Sequence, residues 1–276
     1  MKEQLARNIH NYRKEKGMTQ EELAQAVGVS FQAVSKWENA QSLPDIALLP
    51  QLARTLETGI DRLFGYASFD RSVTIYEQEY RNSGYYWGTE PNSACYEVLK
   101  RIPPVRPLKL LDVGCGEGKD AVFFARNGYH VTAFDVADAG IEKTKRLAEQ
   151  ARVHVEVFKA DILDHRLDEH FDIVFSSGVL HYIRPELRSE IFENYKAFTN
   201  AGGLHVLNVF VEKPFIAPPP EDEPYAYSWH SGELARHYHD WLLADSSEIV
   251  FDCMSSGIPH RHAMSKLIAQ KPDSSS

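Results

Sequence analysis

Cysteine is scarce in this chain: 276 residues carry three, Cys95, Cys115 and Cys253, scattered and odd in number. This fits a reducing cytoplasm better than a disulfide framework, and either reading leaves at least one thiol free. No apolar run approaches the roughly 18 residues of a membrane span, and the amphipathic N-terminus lacks the apolar stretch of a signal peptide. The chain is thus expected to be soluble, with no membrane partner. Positive charge is also short, since 30 Lys/Arg against 39 Asp/Glu leave a net charge of −9. Residues 1–66 hold eight of each sign, so the whole excess lies beyond them and no long-range field draws a polyanion to the chain. Internal repeats are absent. Biased composition is confined to the Ser274 to Ser276 tail and to Pro218 to Pro220, which with Glu221 to Glu223 predicts an exposed loop.

What is present begins with LLDVGCGEG, Leu110 to Gly118. Apolar residues suited to a central strand run into Gly114, Gly116 and Gly118, which let backbone approach a ligand, and KDAVFFARNGY continues at helical spacing. The spacing is G-x-G-x-G rather than the dinucleotide G-x-G-x-x-G, whose pyrophosphate sits on a helix N-terminus. S-adenosylmethionine has no phosphate and offers an ammonium that suits Asp112. A second strand, His130 to Val136, ends at Asp135, 21 positions after Gly114 and close to the roughly 20 expected for a carboxylate on ribose hydroxyls. A third, HVEVFKADI, ends at Asp161, and a fourth runs from Phe171 into Ser176 and Ser177. Cys115 lies within the loop and reads as a small space-filling residue in preference to a nucleophile.

These residues resemble the class I S-adenosylmethionine-dependent methyltransferases over about Tyr80 to Lys271. YWGTEP (Tyr86 to Pro91), SSGVLHYI, SGELARHYHDW and PHRHAMSKLIAQK resemble, more narrowly, the tellurite-resistance methyltransferase family. The resemblance implies an α/β Rossmann-like domain with a mainly parallel seven-stranded sheet. It implies that Asp135 holds the ribose, Asp161 the adenine amino group with Val136 and Ile162 against the ring, and Gly114 and Gly116 the methionyl end, with Ser177 at the fourth strand end also facing the cofactor.

The other informative stretch, Thr19 to Ala53, reads as two short helices about a turn and then a third. Thr19 and Glu22 form a capping box, Gly28 permits a left-handed turn, Ser30 caps the next helix, and Leu23, Val27, Val34 and Trp37 face inward. The outward face of the second helix carries Gln32, Ala33, Ser35 and Lys36, an amide, a methyl, a hydroxyl and a cation suited to base edges and phosphates. The segment Met1 to Gly65 resembles the all-α Cro/repressor-type helix-turn-helix family, which implies a double-stranded DNA partner. By that resemblance Gln20 contacts phosphate and Gln32, Ala33 and Lys36 enter the major groove. Phe31 stands where many relatives carry arginine, and Ala40 where glycine is frequent. Paired half-sites favour a homodimer. A helical bundle binding protein or nothing remains the alternative.

Length accommodates both domains: residues 1–66, a polar linker over 67–82 with helical character from Val73 to Tyr80, a methyltransferase domain over 83–272 and a tail. Of twelve histidines, seven lie from His181 onward. His237 and His239 point to different faces of a predicted helix, and His260 and His262 share a strand face without an evident cysteine or carboxylate partner, so no metal site is assigned. A catalytic, acceptor-side role falls instead to His181, Arg261 and His262, a cationic imidazole-lined pocket end for a soft anion such as tellurite, selenite or a thiolate. For Arg261, pairing with an acidic neighbour on the sheet edge stays open.

The expected chemistry is displacement at an already activated methyl group, where positioning and exclusion of water supply much of the catalysis. A DNA acceptor is disfavoured, because the fourth strand ends in SSGV rather than in an Asn/Asp-Pro-Pro-aromatic or Pro-Cys sequence. The alternative from another class is a transcriptional regulator whose methyltransferase-like domain senses S-adenosylmethionine or a toxic small molecule.

Overall fold

The computed structural model describes residues 2–64, 75–218, 226–254 and 257–273. The chain divides into two compact units, Met1–Asp70 and Arg71–Ser276.

The first unit contains α1 (Lys2–Glu15), α2 (Gln20–Val27), α3 (Phe31–Glu38), α4 (Leu49–Thr55) and α5 (Ile60–Leu63). Both halves of the capping box form, with Glu22 N–H donating to Thr19 Oγ1 at 3.1 Å and Thr19 N–H to Glu22 Oε2 at 2.7 Å. Two orphan donors at the start of α2 are thereby satisfied. Gly28 takes φ 77° and Ser30 Oγ accepts the Ala33 N–H at 3.3 Å, so the turn and the second cap form as the residue types predict. Leu23, Val27, Val34 and Trp37 close on Leu5, Ile9 and Leu52. Ala40, at the glycine-favoured position, takes φ 54°, a conformation that costs an L-residue roughly 1–2 kcal/mol.

Beneath this core lies a polar cluster. Arg13 Nε and Nη2 donate to the two Glu38 oxygens at 2.6 and 2.7 Å, and Gln20 Nε2 donates to Glu38 Oε2 at 2.8 Å. Burial alone would raise the Glu38 carboxyl, but the hydrogen bonds from Arg13, Gln20 and His10 outweigh it and bring it down to about 2. The stabilisation is therefore fully present above the unfolded carboxyl's pKa of about 4.3 and is lost as pH falls through about 2.

The second unit contains α6 (Ile75–Tyr80), α7 (Ser93–Arg101), β1 (Lys109–Val113), α8 (Lys119–Arg126), β2 (His130–Asp135), α9 (Asp138–Ala151), β3 (Val155–Lys159), β4 (Phe171–Ser176), α10 (Arg188–Ala197), β5 (Thr199–Phe210), α11 (Glu233–Arg236), β6 (Leu242–Cys253) and β7 (His260–Gln270). The strands form one seven-stranded sheet in the order β3-β2-β1-β4-β5-β7-β6. β1 to β5 run parallel, and β7 is antiparallel to both its neighbours. All six residues of β4, FDIVFS, are buried, as the near-continuous apolar run of a strand covered on both faces requires. Cys95, Val98, Ala121, Phe124 and Ala148 from α7 to α9 pack on one face. Ile191, Phe192, Tyr195 and Leu234 from α10 and α11 pack on the other. Strand order reverses between β1 and β4, so their C-terminal ends open the crevice where ligands of such sheets bind.

Three expectations need correction or fall outside view. Residues 75–82 are not linker: Tyr80 and Glu77 are buried, and the Ala139 N–H at the start of α9 donates to Glu77 Oε2 at 3.0 Å. The helix foreseen in SGELARHYHDW spans only Glu233–Arg236, because the following turns bury Tyr238 and Trp241 against His205. The Pro219 to Glu223 loop, residues 65–74 and the Ser274 to Ser276 tail lie outside the described residues.

Breaking the Arg13–Glu38 pair leaves a buried carboxylate without its cation, which costs about 3–5 kcal/mol. Arg13→Ala in the full chain is expected to lower amide-exchange protection across residues 2–64 by that amount while residues of β1 to β5 stay unchanged. Unaltered protection in α1 to α3 would contradict this role.

Candidate functional site

The glycine loop leaves β1 at the point where the strand order reverses. Gly114 and Cys115 both donate their N–H to the Phe134 carbonyl at 3.0 Å, which locks the loop to the end of β2. There the Asp135 carboxylate accepts the Gly116 N–H at 2.8 Å through Oδ2 and the Ala137 N–H at 2.8 Å through Oδ1. Burial pushes this carboxyl up, against the pull of the Ala137, Gly116 and Val136 backbone N–H groups. The Ala160 N–H then donates to the Asp135 carbonyl at 3.0 Å and carries β3 alongside, so that Asp161 follows at the same edge of the sheet. Asp161 Oδ1 accepts the Leu163 N–H at 2.8 Å. Val136 is partly accessible, and Ile162 is buried in the core below.

The three loop glycines have φ of 70°, 54° and 86°, open to glycine at little cost. Their lack of side chains serves the protein's own packing. A Cβ on Gly114 would stand 2.7 Å from Val179, one on Gly116 3.0 Å from the Tyr80 hydroxyl, and one on Gly118 2.8 Å from the Thr144 Cα. Gly118 is thus what lets α9 cross against the start of α8.

The loop is strongly acidic. Asp112 is buried, and its Oδ2 has no hydrogen-bond partner among the described residues. Burial, then the neighbouring Asp120, push its carboxyl well above the usual range, with Lys119 pulling the other way. Asp120 stands in the first turn of α8 and accepts from Asn92 N–H at 2.7 Å and from Lys119 Nζ at 3.0 Å. Cys115 is buried, and burial followed by Asp135 pushes its thiol well up, which fits filler rather than nucleophile.

A strap from residues 76–92 that sequence patterning did not assign to the site crosses this loop. Trp87 Nε1 donates to the Tyr80 hydroxyl at 3.0 Å, and the Trp87 N–H donates to Glu117 Oε2 at 3.2 Å. Glu117 in turn forms a buried ion pair with Lys143 at 2.6 Å, and Lys143 also donates to the Gly84 carbonyl. At the end of β4, Ser177 Oγ accepts from Asn92 and Asn208 Nδ2, both at 3.0 Å. Only YWGTEP within the strap carried any sequence signal.

Residues 75–254, about two thirds of the chain, match the family model described as Tellurite resistance protein TehB. The chain belongs to the TehB family. Residues 9–63 match a separate helix-turn-helix model. TehB of Haemophilus influenzae, described as a probable S-adenosyl-L-methionine-dependent methyltransferase, is 26% identical over 152 residues, covering 55% of this chain and 52% of that protein. Hemagglutinin 1 of Eikenella corrodens is 28% identical over 178 residues, 63% of this chain and 58% of that protein. The chain thus spans between 52 and 58% of the length of these curated relatives. The crystal structure of TehB from H. influenzae shares the fold with a TM-score of 0.58 at 22% identity, covering 71% of this chain and 65% of that one.

Within this TehB-family unit the β7 pleat parts Arg261 from His262, so the trio His181, Arg261 and His262 does not share one face. His181 is buried on the turn after β4, its ring 5.6 Å from that of Phe210, and His262 lies 4.8 Å from Phe210. Arg261 is exposed, and the strand pleat sends it to the opposite face of β7 from His262, with Asp252 as its register partner on β6. The register also corrects the histidine reading, since it sets Cys253 directly across from His260.

On the first unit, Gln32 and Lys36 are exposed one helical turn apart on α3, with Ala33 and Ser35 partly exposed beside them. Gln20 differs from expectation, because its amide braces Glu38 and so has one N–H fewer for a phosphate.

Gly118→Ala combines a left-handed alanine with a backbone collision, a cost of roughly 2–5 kcal/mol. Urea unfolding of the full chain should show this loss in the transition of the methyltransferase-fold unit. A loss below about 1 kcal/mol would contradict the packing role given to this glycine.

Proposed function

We propose that the TehB-family unit is an S-adenosylmethionine-dependent methyltransferase for a small soft nucleophile, with tellurite, selenite and thiols as the acceptor class. The observation that carries this reading is the convergence of Asp112, Asp120 and Asp135 on the glycine loop. A pyrophosphate needs the opposite potential and an open helix N-terminus, whereas here Asp120 occupies the first turn of α8. A ligand bearing a sulfonium and an ammonium suits such a pocket.

The residues divide the work. Asp112, with one carboxylate oxygen unmatched in a buried site, is the acceptor for an ammonium. The Gly116 and Ala137 N–H groups fix the orientation of Asp135, and each of its oxygens accepts one of them and keeps acceptor capacity for a ribose diol. Asp161, Val136 and Ile162 border the base side, Gly114 and Gly116 the methionyl side, and Ser177 the end of β4. S-adenosylmethionine, when bound, supplies a methyl group already activated by its sulfonium. The Tyr80–Trp87 strap covers the loop and excludes water, and His181 orients the acceptor from the turn after β4. Arg261, on the opposite face of β7 from His262, is left out of this set, and His262 is given no part in it.

For the first unit we propose double-stranded DNA binding, as a homodimer on paired half-sites, with Gln32, Ala33, Ser35 and Lys36 toward the bases and backbone. The match to the helix-turn-helix model and the exposure of Gln32 and Lys36 support it.

The test is formation of S-adenosylhomocysteine by the full chain given S-adenosylmethionine with tellurite, selenite or a small thiol in turn. Turnover with at least one acceptor, falling at least about 100-fold in Asp135→Ala, is expected, because buried charged hydrogen bonds are worth about 1.5–3 kcal/mol each. Tight cofactor binding with no product above the variant's background would overturn the enzyme reading in favour of a sensor that regulates DNA binding.

A further inference from the structure

The outer hairpin of the sheet brings together three metal-ligating side chains that the proposed reaction does not use. Cys253 ends β6, His260 begins β7 as its register partner, and His262 follows two residues on. Cross-strand partners and residues two apart share a face of a sheet, so all three project the same way. One ligand atom from each lies within 4.8 Å of the other two, and all three residues are partly buried. From this cluster we infer that Cys253, His260 and His262 form a binding site for a thiophilic divalent cation such as Zn²⁺.

The surroundings prepare the imidazoles for that task. His260 Nδ1 lies 2.7 Å from the Ile258 carbonyl, which can only accept, so Nδ1 carries the proton and Nε2 presents its lone pair. A carbonyl or carboxylate fixing the remote ring nitrogen is the usual partner of a metal-bound histidine. That Nε2 lone pair faces His262 Nε2 at 2.8 Å, the two rings standing at 83°. The His262 ring is steadied by Phe210 at 4.8 Å and Phe251 at 5.8 Å. With Zn–N bonds of about 2.0–2.1 Å, tetrahedral geometry sets two ligand nitrogens about 3.3 Å apart, so the pair needs to open by only about half an ångström. The cation replaces the proton held between the rings, which moves to His262 Nδ1, and the Cys253 thiol gives its proton to solvent as the metal–sulfur bond forms.

One sulfur and two nitrogens select borderline and soft ions over Mg²⁺ or Ca²⁺. Three protein ligands leave a fourth position, and Cys253 and His260 also line a groove of about 410 Å³ that takes in Asp252 and Arg261 from around the strand edge, so that position is reached by water or an exogenous ligand. The other two cysteines, Cys95 and Cys115, are buried elsewhere in the unit, so a thiolate–metal signal reports on Cys253.

The experiment is a titration of the reduced full-length chain with Co²⁺, read by thiolate-to-metal charge-transfer absorption, followed by displacement with Zn²⁺. One equivalent producing that band, its loss in Cys253→Ser, and at least about tenfold weaker binding in His260→Ala and in His262→Ala are expected, with the band kept in Cys95→Ser. Zn²⁺ should also raise the melting temperature of the parent chain and not that of Cys253→Ser, whose unliganded melting temperature serves as the folding control. Absence of a charge-transfer band at saturating Co²⁺, or a band that survives in Cys253→Ser, would overturn the assignment.

Discussion

The second unit depends on one carboxylate. Asp135 accepts the Gly116 N–H with one oxygen and the Ala137 N–H with the other, and so joins the loop after β1 to the turn after β2 at the reversal of strand order. The Phe134 carbonyl, taking two N–H groups from the same loop, reinforces that joint. With it fixed, Gly118 lets α9 pass the start of α8, and α6 packs against the N-terminus of α9. Binding geometry and fold stability thus share the same few atoms. A carboxylate placed there for a ligand must also be held by backbone donors, because burial alone disfavours its charge.

Charge shapes this crevice. Three aspartates stand at the glycine loop, which suits the cationic nucleoside proposed for it, and Lys119 offsets Asp112 and Asp120. The first unit follows a different logic: it is nearly neutral, with eight Lys/Arg against nine Asp/Glu over residues 1–70, and its buried Arg13–Glu38 pair braces α1 to α3 instead of steering a partner. The sequence-specific contacts proposed for it would depend on a short exposed face of α3, with long-range attraction contributing little.

Much of this was legible in the sequence because it is local. Thr19, Glu22, Gly28 and Ser30 act within four residues of where they sit, and each adopts the conformation its chemistry favours. The ends of β1 to β4 announce themselves through apolar runs that stop at glycine, at a carboxylate or, for β4, at a pair of serines. What was not legible depends on distant pairing. Lys143 meets Glu117 across 26 residues, and Trp87 reaches Tyr80 only because α6 folds back on α9. Arg261 and His262 were grouped as neighbours in sequence, but the pleat parts them. Cys253 and His260, separated by a turn, are joined by a register that no single-strand pattern reveals.

The central claim is that an acidic, phosphate-excluding crevice binds the amine-bearing S-adenosyl nucleoside common to cofactor and product through Asp135. Calorimetric titration of the full chain with S-adenosylhomocysteine and, separately, with NAD⁺ tests it most directly, with Asp135→Ala alongside. Saturable binding of S-adenosylhomocysteine, weakened at least about tenfold in Asp135→Ala, and no binding of NAD⁺ are predicted. Binding of NAD⁺, or S-adenosylhomocysteine affinity indifferent to Asp135, would contradict the account.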